Sequence, residues 1–296
     1  MVLPLVVGVD GSESSLRAVD WATDEAALRD VPLRLVYASL WERYEGAALA
    51  EGLGRSSEQV MADDIVEAAA RRAHRRAPDV KVTTDVLPDD AVSVLSNEAH
   101  TAAALVVGSR GRGGLAELLL GSVSLAVAGR AACPVIVLRG SHDNQARAGR
   151  HRRVVLGVGE GPHGTAATRF AFEEAEVRKA TLDAVRAWRC PAYESTDHPL
   201  LTGEPARLHE QRAVEILESA LSTAAAEHPA VDLRRRTAEG SARRVLLDAS
   251  DEADLLVVGV QRHHGHSGHV GFQLGRVAHT LLHHSACPVA VVPQRG

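Results

Sequence analysis

The 296-residue sequence contains little lysine and cysteine and no long apolar run. Its only lysines, Lys81 and Lys179, lie outside glycine-rich stretches, so the lysine-dependent phosphate loop of P-loop NTPases is excluded. The three cysteines form no C-x-x-C pair, so we expect neither a disulfide framework nor a structural zinc site. No apolar stretch approaches the roughly 18 residues needed to span a bilayer. The amino terminus also lacks the basic region of a signal peptide. These absences predict a cytoplasmic protein with no membrane partner.

The composition is that of a globular protein, with 45% hydrophobic and 24% charged residues. The length suits two domains of about 150 residues each. The formal net charge is −5, whereas nucleic-acid-binding domains are usually basic. We therefore expect no nucleic-acid partner.

The sequence contains an internal repeat. Val6-Val7-Gly8-Val9 is matched 149 positions later by Val155-Leu156-Gly157-Val158. Further matches follow at offsets of 151 and 154, and they end with Ala132-Cys133-Pro134 and Ala286-Cys287-Pro288. A period of this length indicates a duplicated domain. We predict domains at residues 1–140 and 153–296, joined by a polar linker at 141–152.

Within the first copy, short apolar runs alternate with amphipathic segments. The runs are typical of strands buried on both faces: Leu5–Val9, Leu33–Ala38, Val80–Val86, Ala104–Val107 and Val135–Leu138. The segments between them have helical periodicity: Ser14–Leu28, with Leu16, Val19, Ala22, Ala26 and Ala27 on one side, then Ser57–Arg76, Ala91–Ala99 and Ser122–Ala131. This alternation predicts, for each domain, a five-stranded parallel sheet with helices on both faces. Ligands of such sheets bind at the carboxyl ends of the strands, where the strand order reverses.

Two loops at that edge have the composition of a phosphate site. Asp10-Gly11-Ser12 follows the first strand, and a glycine-rich stretch with Gly108, Arg110, Gly111 and Arg112 follows the fourth. Backbone N–H groups of such loops, together with a helix start at Gly121-Ser122, form a site for anions. A dinucleotide fingerprint is discounted, because Gly111–Ala116 follows the fourth strand and lacks the acidic residue about 20 positions later.

The glycine spacing after the fourth strand resembles the ATP-binding pattern of the universal stress protein family. It consists of Gly108-x-x-Gly111, followed after nine residues by Gly121-Ser122. The resemblance covers nearly the whole chain, as two tandem domains, and implies a Rossmann-like (adenine nucleotide alpha hydrolase-like) fold. It implies that Asp10 and the backbone of Ala38 contact the adenosine, with Gly11 and Ser12 in the adjoining turn. It also implies a triphosphate, usually with Mg²⁺, held by Gly108, Arg110, Gly111, Gly121, Ser122 and Val123, with Ser124 a further candidate. The family further implies that the two copies pair through their last strands, and we expect a homodimer.

The second copy departs from this pattern. Gly259, Gly265 and Gly275 retain glycines, but Gly265 lies six positions after Gly259 rather than three. Asp10 corresponds to Gly159 and Ser122 to Arg276, so a carboxylate and a hydroxyl are lost. A lost hydrogen bond typically costs about 0.5–1.5 kcal/mol, although Arg276 offers a charge for a phosphate. We therefore expect a second site that is weaker, altered or empty.

Three functional interpretations remain open. The first is a nucleotide-binding regulator of stress response or growth that hydrolyses ATP slowly at most. The second is a slow ATPase or nucleotidyl enzyme, for which Glu117 is the nearest carboxylate to the loop, and the third is a cyclic AMP sensor. A histidine cluster from His263 to His284 places His279 and His283 four positions apart, which is a metal-ligand spacing on a helix. Because zinc needs three or four convergent ligands, we expect no metal site there.

Overall fold

The computed structural model describes residues 2–40, 57–109, 120–138, 150–160, 166–190, 204–261 and 274–294. The chain divides into two compact units. Across the described residues, each unit holds five strands and four helices. The domain boundaries predicted at 140 and 153 stay a prediction, because residues 139–149 lie outside the described part of the chain.

The first unit is the parallel α/β fold that the sequence predicts. Its elements are β1 (Leu5–Gly8), α1 (Glu13–Arg29), β2 (Leu33–Ala38), α2 (Ser57–Arg76), β3 (Val82–Leu87), α3 (Ala91–Glu98), β4 (Ala104–Gly108), α4 (Ser122–Arg130) and β5 (Val135–Leu138). The strands pair in parallel in the order β3-β2-β1-β4-β5. Helices α1 and α2 contact each other, as do α3 and α4. The strand order reverses between β1 and β4, which places a ligand cleft at their carboxyl ends.

The second unit repeats this architecture. Its elements are β6 (Arg153–Gly157), α5 (Ala166–Arg178), β7 (Thr181–Trp188), α6 (Glu204–Glu227), β8 (Leu233–Glu239), α7 (Ala242–Ser250), β9 (Leu255–Gln261), α8 (Arg276–His284) and β10 (Val289–Gln294). The order is β8-β7-β6-β9-β10, again with parallel pairing. Strand register equates Leu35 with Ala184 and Val106 with Val257, so the repeat found in the sequence is a repeat of structure.

The central strands are apolar because both faces of the sheet are covered, and all five residues of β4 are buried. The helices begin where polar residues cap them. Ser12 accepts a hydrogen bond from the Ser15 N–H, and Asp90 accepts from Val92 and Ser93. Helix α1 ends at Asp30, whose left-handed backbone (φ 52°) closes the last turn.

Two local predictions were wrong. The strand predicted from Val80 begins at Val82, because the Val80 N–H donates to the Ala77 carbonyl in the turn that follows α2. Ala27, predicted on the buried side of α1, is exposed, whereas Val19, Ala22 and Ala26 are buried as expected.

Candidate functional site

The predicted ligand residues of the first unit meet at one edge of its sheet. Strand β1 lies between β2 and β4, and all three run parallel. Ala38 ends β2, Asp10 follows β1, and Gly108 ends β4. The carboxyl ends of parallel strands share an edge, so these three positions lie around the point where the strand order reverses.

The turn after β1 is fixed by its own polar side chains. One carboxylate oxygen of Asp10 accepts the Ser12 N–H at 2.9 Å. The Ser12 hydroxyl accepts the Ser15 N–H at 3.2 Å, and the Ser15 hydroxyl donates to the Ser12 carbonyl at 2.9 Å. Gly11 has φ of 78°, a left-handed conformation that glycine adopts without strain. The turn therefore holds the Asp10 carboxylate in place through one of its two oxygens.

Gly108 is required by packing, independently of any ligand. A Cβ atom at this position would lie 2.6 Å from the Ser14 hydroxyl oxygen and 2.8 Å from the Ser14 carbonyl carbon and oxygen. These distances are too short for any side chain. The first turn of α1 thus crosses directly over the end of β4. Sequence reasoning missed Ser14, because nothing in its local pattern signals that contact.

The start of α4 is tied to the end of β4. The Gly121 N–H donates to the Ser109 carbonyl at 2.8 Å, and the buried Ser124 hydroxyl donates to the Gly108 carbonyl at 2.7 Å. Gly121 is the N-cap residue of α4, and no side chain in the described part of the chain caps this helix. The backbone N–H groups of its first turn are consequently available to an anion. Ser124, expected as a further ligand contact, uses its hydroxyl proton to anchor the helix.

Several predicted positions fall outside the described residues: Arg110, Gly111, Arg112, Glu117, Gly265 and the histidines from His263 to His269. Of the remaining cluster, His279 and His283 have ring centroids 4.6 Å apart. Across the described ranges, no group of three or more His, Cys, Asp or Glu side chains could hold a metal ion. Within the same ranges, no helix has the length and hydropathy to cross a membrane.

The cysteines that precede prolines are buried under the sheet. Burial raises the pKa of the Cys133 and Cys287 thiols to about 12. A thiol with so high a pKa is not a nucleophile at neutral pH. These side chains act as small apolar residues of the core, as the sequence predicted.

Comparison with known proteins agrees with the duplicated architecture. The model of the "Universal stress protein family" matches residues 1–139 and 150–293. The chain belongs to the universal stress protein family. "Universal stress protein Rv1996" of Mycobacterium tuberculosis strain H37Rv is 32% identical over 99% of this chain and 96% of its own length.

Among solved structures, a universal stress protein from Archaeoglobus fulgidus shares the fold, with a TM-score of 0.66 and 15% identity over 98% of both chains. A universal stress protein crystallised with cAMP is 29% identical over 47% of this chain and 97% of its own, with a TM-score of 0.37. The full-length matches extend over both repeats, so the tandem arrangement belongs to this chain's relatives as well.

The second universal stress protein repeat carries different side chains at its cleft. Gly259, the counterpart of Gly108, lies against the Gln294 side chain. Gly275 caps α8 without a side-chain hydrogen bond, like Gly121, but exposed Arg276 follows it. Ala278 stands where Ser124 does and has no hydroxyl with which to anchor its helix to β9. The glycines are therefore retained while their surroundings have changed.

Proposed function

We propose that the first repeat binds ATP with Mg²⁺ and that the chain acts as a nucleotide-dependent regulator of stress response or growth. The observation that carries this proposal is the uncapped start of α4, held beside the end of β4 by the Gly121–Ser109 and Ser124–Gly108 hydrogen bonds. The first turn of a helix presents backbone N–H groups and partial positive charge. That combination suits a phosphate chain without any lysine.

We assign the remaining groups to an adenosine. The Asp10 carboxylate has one oxygen engaged by Ser12, so its second oxygen is the acceptor we assign to the nucleoside hydroxyl or amino groups. Ala38 ends the neighbouring strand, where its backbone meets the adenine edge in this proposal. Ser122 and Val123 supply the N–H groups for phosphates. Gly11, with its positive φ, lets the chain turn close to the ligand.

Mg²⁺ fits this site only as a companion of the phosphates. No described group of three carboxylate, histidine or cysteine side chains forms a resident metal site. Mg²⁺ commonly binds through substrate phosphates, waters and one or two protein oxygens. Among the described residues, the Ser122 hydroxyl at the start of α4 is the protein oxygen that we assign to the ion. The ion would neutralise phosphate charge.

We further propose that hydrolysis is slow at most. Phosphoryl transfer to water needs a group that positions the nucleophile near the terminal phosphate. Among the described residues of the cleft, Asp10 is the one carboxylate, and we assign it to the nucleoside. A slow ATPase or nucleotidyl enzyme and a cyclic AMP sensor are the alternatives. The homodimer, the pairing of the two repeats and the cytoplasmic location stay predictions.

The test is a substitution that caps α4 with a negative charge. Gly121→Asp introduces a preferred N-cap residue at a position whose backbone is extended (φ −65°, ψ 145°). The new carboxylate occupies the free N–H groups and repels phosphate. We expect an affinity loss of about tenfold or more, since hydrogen bonds to charged groups contribute about 1.5–3 kcal/mol. Folding stability should stay equal or rise by about 0.2–0.4 kcal/mol, because glycine is itself only slightly worse than aspartate at an N-cap.

Gly275→Asp is the matched control, because Gly275 caps α8 in the same way and a Cβ there would meet nothing within 4 Å. Binding of ATP and cyclic AMP is measured by calorimetric titration of nucleotide-free protein, and stability by thermal unfolding. A Gly121→Asp protein that binds ATP as tightly as the parent would refute the proposed phosphate site. Tighter binding of cyclic AMP than of ATP would favour the sensor alternative.

A further inference from the structure

The cleft of the second repeat contains a buried guanidinium. Strand register places Arg186 at the position of Tyr37, one residue before Ala187, the counterpart of Ala38. Arg186 is 8% exposed. Its Nη1 donates to the Val158 carbonyl at 3.2 Å, and its Nη2 donates to the Glu160 carboxylate at 3.0 Å. The guanidinium thus lies beside the carboxyl end of β6, where the first repeat has its Asp10-Gly11 turn.

A second side chain lies against the end of β9. The Gln294 side-chain carbonyl accepts the Ala166 N–H at 3.1 Å, at the start of α5. Its amide nitrogen lies so close to Gly259 that a Cβ on the glycine would collide with it. In the first repeat the equivalent glycine, Gly108, faces Ser14 of α1 instead. The neutral amide of Gln294 therefore lies between the end of β9 and the start of α5.

We propose that Arg186 and Gln294 occupy the nucleotide cleft of the second repeat, so that this repeat takes no nucleotide and the chain binds one. The inference rests on the proposed function of the first repeat. It goes further by naming the residues that exclude the ligand and by fixing the stoichiometry.

The energetic reason is the cost of moving Arg186. A nucleoside at the end of β6 would have to displace a nine-tenths-buried cation from two hydrogen-bond acceptors. That displacement would leave the Val158 carbonyl without its donor, which is unfavourable wherever water does not replace it. Glu160 is 82% exposed on its side chain, so its ion pair with Arg186 contributes little. The hydrogen bond to the Val158 carbonyl and the packing of the aliphatic part of the side chain hold Arg186 in place. The cleft also lacks the carboxylate of Asp10, since Gly159 stands there.

Stoichiometry is measured by equilibrium dialysis of nucleotide-free, full-length protein against radiolabelled Mg-ATP, with photolabelling by 8-azido-ATP to identify the labelled repeat. We expect one ATP per chain and label in residues 2–138. The Gly159→Asp variant restores the missing carboxylate but keeps Arg186 and Gln294, so it should still bind one ATP per chain. The variant Gly159→Asp with Arg186→Tyr and Gln294→Gly removes both occupying side chains and should bind a second ATP. Any of three results would overturn the proposal. These are photolabel in the second repeat of the unaltered chain, a second ATP bound by Gly159→Asp alone, and no second ATP bound by the triple variant.

An accessibility measurement tests the same contacts without depending on nucleotide binding. Phenylglyoxal modifies exposed guanidinium groups, and Arg244, whose side chain is 84% exposed, is the internal reference. We expect Arg186 to react about tenfold more slowly than Arg244, because reaction requires local opening, and to react equally slowly with ATP present. Equal rates for the two arginines, or a rate for Arg186 that rises with ATP, would overturn the proposal. If the chain binds no nucleotide but Arg186 stays protected, the proposed function fails while the filled cleft stands.

Discussion

Gly108 allows the contact between β4 and α1 to be tested directly. Gly108→Ala places a Cβ 2.6 Å from the Ser14 hydroxyl oxygen and 2.8 Å from two Ser14 backbone atoms. A backbone cannot rotate away as a side chain can, so α1 must shift from the sheet. Overpacking of this kind typically costs about 1–3 kcal/mol. For a domain of this size, each kcal/mol lowers the melting temperature by about 2–4 °C.

The assay compares thermal unfolding and ATP affinity of Gly108→Ala with those of Gly159→Ala, where a Cβ meets nothing within 4 Å. We expect the first variant to lose stability and ATP affinity and the second to lose neither. Adding Ser14→Ala to Gly108→Ala removes only the hydroxyl oxygen, so it should restore little. Full recovery in that double variant, or parental stability in Gly108→Ala itself, would refute the argument that backbone packing demands glycine here.

Three further predictions concern stability and reactivity. Arg34 pairs with Asp85 at 2.9 Å and with Glu98 at 3.0 Å. Either single change, Arg34→Asp or Asp85→Arg, should cost roughly 0.5–1 kcal/mol of stability. The double variant restores the pair with reversed charges but sets the new aspartate against Glu98, so the lost stability should return only when Glu98→Ala is added. Failure of the triple variant to exceed the double in denaturant titrations would contradict this. Ser124→Ala should cost about 1–2 kcal/mol in the same titrations, because the buried Gly108 carbonyl loses its donor; unchanged stability would argue against the anchoring bond. Burial raises the pKa of the Cys133 and Cys287 thiols from 9.0 to about 12, so the folded state favours their protonated form. The contribution of these thiols to the free energy of unfolding is therefore fully present below pH 9 and is lost as the pH rises from 9 to 12. At pH 8 a thiol reagent should modify these two cysteines only after unfolding, and fast labelling of the native chain would show that they are accessible.

Much of the fold was predictable from the sequence because its signals are local. The buried strands are continuous apolar runs, α2 begins and ends at the residues predicted, and the caps at Ser12 and Asp90 use residue types that favour helix starts. Asp10, Ala38 and Gly108 could be placed at one edge because parallel strands end together. The contact of Ser14 with Gly108 could not be predicted, because it depends on how closely α1 packs onto β4.

The changes in the second cleft illustrate the same limit. The loss of Asp10 and Ser122 was visible as Gly159 and Arg276, because aligned positions can be compared directly. Gln294 stands 128 residues from its partner Ala166, and Arg186 stands 26 from Glu160. Only the sheet register brings these residues together. Sequence comparison therefore identifies which of the residues that we assign to the ligand have changed, whereas the contacts of Arg186 and Gln294 are visible only in the folded chain.

The two repeats differ in which interactions they retain. The buried pair Glu25–Arg29 of α1 recurs as Glu174–Arg178 of α5, with both carboxylates almost wholly buried. The cross-strand pair Arg34–Asp85 recurs with its charges reversed, as Asp183–Arg236. A ligand would distinguish a cation from an anion at a given position. Because this ion pair is kept with its charges exchanged, we infer that it serves the fold rather than a ligand. At the cleft, by contrast, Asp10 and Ser122 have no functional counterpart. The duplication thus separates what the domain needs to fold, which is present twice, from what we assign to the nucleotide, which is present once.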